Sequence, residues 1–229
     1  MPNIRRRFEK PDTPFEKILY AQVLMQIDPA DVAGADYAIG LAASADPKDF
    51  TPAYLALDSS KTNHAGVSTR LWSLFQRLDP DSEQAWLCLH TMVRQGQLRE
   101  ELIGVARSRM NDPRHAGQLH QLNAAWCLLR LDPQAEDGWA IFKSFLFTEI
   151  AGDPTNANLM LLSTALDYLL TLPMDPARKK ALFREVTDYY DAPTSRQEHV
   201  RETVLKHLVK LDPLGTPLTF AERVRLYLD

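Results

Sequence analysis

Apolar residues recur along this chain at helical spacing. Trp86, Leu89 and Val93 stand at i, i+3 and i+7 and share one helix face, and Gly96 follows where a helix end favours positive φ. Leu98, Leu102, Val105 and Met110 then give a second helix an apolar face. Asp79-Pro80 and Asp112-Pro113 bracket the pair. Aspartate accepts a hydrogen bond from a first-turn N–H, and proline presets φ for the first helical position, so the stretch from Asp79 to Pro113 reads as one helical hairpin. Upstream, a helix is expected from Thr13-Pro14 through Phe15, Ile18, Leu19, Val23 and Ile27. The next, after Asp28-Pro29, is rich in small residues (Gly34, Ala35, Ala38, Gly40, Ala42) and is expected to lie tightly between neighbours.

Eight of the fifteen prolines follow aspartate, at Asp28, Asp46, Asp79, Asp112, Asp132, Asp153, Asp175 and Asp212. From Asp46 to Asp79 and from Asp79 to Asp112 the interval is 33 residues; later intervals are 20, 21, 22 and 37, the last with a break near Ala192-Pro193. Each short interval holds one longer helix and each long one a hairpin. The pattern predicts an all-α fold, an array of about twelve antiparallel helices with a short last helix from Pro217. Residues 1–11, with Arg5 to Arg7, are expected to be a flexible basic arm, and residues 12–229 a single helical-repeat domain.

The hairpin resembles a tetratricopeptide repeat, with Trp86 at that pattern's early Trp, Leu89 at the following Leu, Gly96 at the turn and Pro113 at the close. His90 stands where the family carries Gly and Glu101 where it carries Ala, so the match is degenerate and best over 79–113. The resemblance implies a TPR-like right-handed α-solenoid whose first helices line a concave groove for a protein partner. Pro133 precedes Trp139 by six residues, as Pro80 precedes Trp86, a spacing similar to the hairpins of protein prenyltransferase α subunits. The Arg that follows the Trp there is missing here, where Leu87-Cys88-Leu89-His90 and Ala140-Ile141-Phe142-Lys143 stand instead.

Composition narrows the chemistry. A net charge of −4 and a pI near 5.9 argue against a general nucleic-acid binder. Cys88 and Cys127 sit in apolar runs beside tryptophans and read as buried thiols. The N-terminus lacks a signal-peptide apolar region, and no apolar run reaches the roughly 20 residues that span a bilayer, so a cytoplasmic, soluble protein is expected. Phosphate-loop, dinucleotide, Cys-x-x-Cys, His-Glu-x-x-His and Gly-x-Ser-x-Gly motifs are absent from the sequence. His115 and His120 would lie about 140° apart on a regular helix, too far round to share a metal. His199 and His207 fare no better, and Asp188 and Asp191 read as a solvated helix end. No catalytic residue, cofactor or metal is expected.

The function expected is that of an interaction scaffold or adaptor. On the resemblance, the groove-facing candidates are Gln84, Leu87, Thr91, Arg94, His120, Asn123 and Lys143. The Lys and Asn clamp by which some family members hold a C-terminal carboxylate is not recognisable. The amphipathic segment Arg223–Asp229 carries no polar cap, which predicts a homo-oligomer contact there or a second function, as a helical accessory or regulatory domain of a larger enzyme or assembly. A helical enzyme with a site assembled from distant helices is the third alternative; it requires a deep pocket with convergent polar groups.

Overall fold

The computed structural model describes residues 2–28, 32–59, 65–148, 157–190 and 198–211, and among them every regular element is helical. The helices are α1 (Pro2–Glu9), α2 (Pro14–Ile27), α3 (Val32–Ala42), α4 (Pro47–Ser59), α5 (Ala65–Phe75), α6 (Glu83–Gln95) and α7 (Arg99–Met110). A 3₁₀ turn (Pro113–His115) precedes α8 (Leu119–Leu131), α9 (Glu136–Leu146), α10 (Ala157–Thr171), α11 (Pro176–Tyr190) and α12 (Glu198–Leu211). Pro29, the marks at Asp153 and Asp212, the break at Ala192-Pro193 and the segment after Pro217 lie outside the described residues. No described helix is long and apolar enough to cross a membrane.

The caps show which marks start helices. Thr13 accepts from the Glu16 N–H before Pro14, Asp46 from the Lys48 N–H before Pro47, and Asp175 from the Ala177 and Arg178 N–H groups before Pro176. Asp112 caps the 3₁₀ turn. Asp79 and Asp132 behave differently: each opens a turn, and the helix begins four residues later, α6 behind Ser82, whose Oγ accepts from Ala85, and α9 behind Ala135. Asp132 also ends the preceding helix, its N–H bonding the Leu128 carbonyl, because the residue before proline is pushed out of the α region. Gly96 closes α6 as expected, bonding the Met92 and Val93 carbonyls. Leu98 is not part of the second helix: it sits at φ 55° before α7 begins at Arg99, and Leu102, Ala106 and Met110 form the buried face.

The chain divides into two compact units, Met1–Gly104 and Val105–Asp229. In the first, α2 touches α1, α3 and α4, while α3 touches α4 and α5 and α6 touches α4 and α5. Residues 2–9, expected as an arm, form α1. Its Phe8 ring meets Tyr37 edge-on at 5.9 Å, Lys17 lies 4.5 Å from the Tyr37 ring centroid, and Arg7 Nη1 donates to the Tyr20 hydroxyl at 3.0 Å. The small-residue helix packs as expected. At Gly34 a Cβ would stand 2.7 Å from the Ala21 carbonyl oxygen, so α2 and α3 approach as closely as glycine permits.

In the second unit, α8 touches the 3₁₀ turn, α9 and α10; α10 touches α9 and α12, and α12 touches α11. Every residue from Leu122 to Leu129 is buried. Trp126 stacks on Tyr168 with centroids 5.0 Å apart and donates through Nε1 to Thr171 Oγ1 at 3.0 Å. Lys179 caps the end of α10, its ammonium donating to the Leu170 and Leu172 carbonyls.

Two substitutions in α3 are expected to have opposite signs. Gly34→Ala forces the helices apart and should cost about 1–3 kcal/mol. Gly40→Ala meets nothing within 4 Å on an exposed helix face and should stabilise by roughly 0.5–1 kcal/mol. Urea unfolding of both variants checks the register of the α2–α3 contact.

Candidate partner-binding cleft beside Trp139

The structure gives most of the expected groove residues internal work. Gln84 donates from Nε2 to the Ala42 and Ser44 carbonyls at 2.5 and 2.9 Å, tying the end of α3 to α6. Thr91 is fully buried and Leu87 half-buried, so Thr91 cannot face a partner. Arg94 pairs with Asp58 of α4 at 2.9 Å. Asn123 is buried and its Oδ1 accepts the Tyr168 hydroxyl at 2.7 Å. His120 meets His115, Nδ1 to Nδ1 at 3.3 Å. The premise that kept these two histidines apart, a regular helix through both, does not hold, because the 3₁₀ turn ends at His115 and α8 starts at Leu119.

Lys143 is the candidate that opens onto a cavity. A cleft of about 120 Å³ lies between α9 and α11 in the second unit, lined by Trp139, Lys143, Met174, Arg178, Leu182 and Glu185 with Ala181. Trp139 and Lys143 are one turn apart on α9. Arg178, Ala181, Leu182 and Glu185 follow the i, i+3, i+4, i+7 stripe of α11. Two contacts fix the aromatic wall: the indole N–H donates to the Pro133 carbonyl at 2.9 Å, and the ring packs edge-on against Phe142. The Arg178 guanidinium lies 5.5 Å from the Trp139 ring centroid, within cation–π range. Trp139 is therefore a half-exposed wall, whereas Trp86, its counterpart after Pro80, is core.

The cleft's size limits its chemistry. Pockets that enclose a small-molecule substrate measure roughly 300–1,000 Å³. Here there is room for one side chain of a larger ligand. Two cations and one carboxylate line the cleft, so its charge favours an acidic group held by Lys143 and Arg178. Arg178 and Glu185 were missed from sequence because their selection depends on which face of α11 turns to α9; the Asp175-Pro176 start of α11 alone could have indicated the register.

A second polar cluster surrounds α6. Ser68 Oγ donates to Gln95 Oε1 at 2.9 Å, Arg94 pairs with Asp58, and burial, followed by the Arg94 charge, pushes the His90 pKa down to about 3. Compared with protein-family models, curated proteins and solved structures, the chain matches none.

The His90 environment sets a pH dependence. Its folded pKa lies below the ordinary value of 6.5, so the unfolded chain takes up the proton first as pH falls. The stabilisation from neutral His90 is complete above about pH 6.5 and is lost towards pH 3. Between pH 7 and 4 the native protein should lose on the order of 1–3 kcal/mol more than His90→Gln; urea midpoints of the two proteins, measured in parallel across that range, report the difference.

Proposed function

We propose that this chain is a protein-interaction scaffold, an adaptor of TPR-like type that holds an acidic segment of a protein partner. The observation that carries the reading is the Trp139 cleft: a fixed aromatic wall, two cations from different helices and space for one inserted side chain. An anchor of this kind contributes through desolvation of a few groups at the centre of a larger contact. Helix connectivity supports the repeat architecture. Next-but-one helices touch along each unit, α2 with α4 and α4 with α6 in the first, α8 with α10 and α10 with α12 in the second, and several consecutive helices touch as well, among them α2 with α3, α3 with α4, α5 with α6 and α8 with α9. That pattern fits right-handed stacking of antiparallel hairpins, in which no helix buries its apolar face alone. The absence of nucleic-acid-type charge and a cytoplasmic setting belong to the same reading.

One observation favours a second reading, a helical accessory domain of a larger assembly. Helix α2 is apolar on both sides: Ile18, Ala21, Leu24 and Met25 are buried, while Phe15, Leu19 and Ile27 are 65%, 43% and 49% exposed. A helix apolar all round belongs in an interior.

The test is retention of partners from lysate of the source cell at low salt, read by quantitative mass spectrometry, with the native chain, Lys143→Glu/Arg178→Glu and Arg94→Glu compared. A stoichiometric partner whose affinity falls at least about tenfold (~1.4 kcal/mol) in the double variant and not in Arg94→Glu supports the cleft. Equal retention by all three proteins overturns it.

A further inference from the structure

His115 and His120 are held together by a short, fully specified loop. His115 ends the 3₁₀ turn and is buried; His120 lies in the first turn of α8 and is half-buried. Gly117 turns the chain between them at φ 71°, a conformation that side-chain-bearing residues rarely adopt. The Gln121 amide locks that turn, accepting the Gly117 N–H at 2.8 Å and donating to the Met110 carbonyl at 3.0 Å, while the Gln118 N–H bonds the His115 carbonyl at 3.0 Å. The two Nδ1 atoms stand 3.3 Å apart with the rings at 78° and the centroids only 4.6 Å apart. Rings so close do not meet head-on along the N···N line; they lean together.

A tetrahedral zinc ion bound at about 2.0–2.1 Å to each of two imidazole nitrogens holds those nitrogens roughly 3.3 Å apart. We propose that His115 Nδ1 and His120 Nδ1 form a two-histidine site for a divalent transition-metal ion of the zinc type, with water completing the coordination. Binding requires both Nδ1 atoms unprotonated, with each neutral ring carrying its one proton on Nε2, so a ring that holds its proton on Nδ1 has to change tautomer before the ion binds. Among the described residues no third His, Cys, Asp or Glu joins the pair. The nearby carboxylate of Asp112 accepts two charge-assisted bonds or more from Arg114 and contributes field rather than a ligand. Two protein ligands bind a metal far more weakly than a closed four-ligand structural site. The proposal is independent of the Trp139 cleft.

The test uses zinc chloride and the full ¹⁵N-labelled chain in a non-chelating buffer. Expected are one zinc ion per chain by calorimetry, large shifts of the His115 and His120 ring nitrogens assigned to Nδ1 coordination, and affinity reduced on the order of tenfold or more in His120→Gln, whose half-buried site tolerates the change. His115→Gln should match it; should that variant fail to fold by circular dichroism, the native ring shifts and His120→Gln decide the question. Native affinity in a folded His120→Gln, shifts confined to other histidines, or no binding overturns the proposal.

Discussion

A helix with apolar residues on more than one side has to be covered on more than one side, and this requirement shapes each unit. Helix α8 is the clearest case: with Leu122 to Leu129 all buried, no single partner helix can shield it, and α9, α10 and the 3₁₀ turn share the task. The aromatic stack of Trp126 on Tyr168 fills the space against α10, and the polar atoms that this burial would strand are answered there, Trp126 by Thr171 and Tyr168 by Asn123. An indole N–H and a phenol hydroxyl each need a partner when taken out of water. Coverage by the next helix and the next but one follows from the same requirement.

Polar side chains inside the units act as register pins. Gln84 reaches the carbonyls of Ala42 and Ser44 at and just past the end of α3, 42 and 40 residues earlier in the chain, and an α6 shifted by one residue would lose both bonds. Apolar contacts alone tolerate sliding, whereas directional bonds to named carbonyls do not. The Asp58–Arg94 pair and the Ser68–Gln95 bond fasten the opposite end of α6 in the same way. A positively charged His90 would disturb this region, and its low pKa keeps it neutral.

The helical class and several boundaries were legible in the sequence because they depend on local chemistry. Thr13, Asp46 and Asp175 bond the N–H groups of the turn that follows them, and Gly96 ends α6, with no help from distant residues. Asp79 and Asp132 carry the same dipeptide, yet Ser82 supplies a better-placed cap for α6, and Asp132 is already engaged as the end of α8. The α1 segment looked like a solvated tail because Phe8 is its one large aromatic, and the partner ring of Phe8 belongs to α3. The binding candidates were the least legible. Thr91 and Asn123 are polar and helical, but whether such a residue faces solvent is decided by the neighbouring helix. Lys143 opens onto a cleft only because α11 presents Arg178 and Glu185 opposite it.

The cysteines give the two units separate voices. Cys88 lies in the first unit and Cys127 in the second, both fully buried, and the Cys88 thiol donates to the Leu71 carbonyl. A buried thiol reacts with an alkylating reagent only when the structure around it opens, so its labelling rate reports the free energy of that opening. With one thiol in each unit, the protein carries an intrinsic pair of clocks: mass spectrometry of the two cysteine peptides after timed alkylation distinguishes units that open together from units that open independently, without a dye, a tag or a substitution.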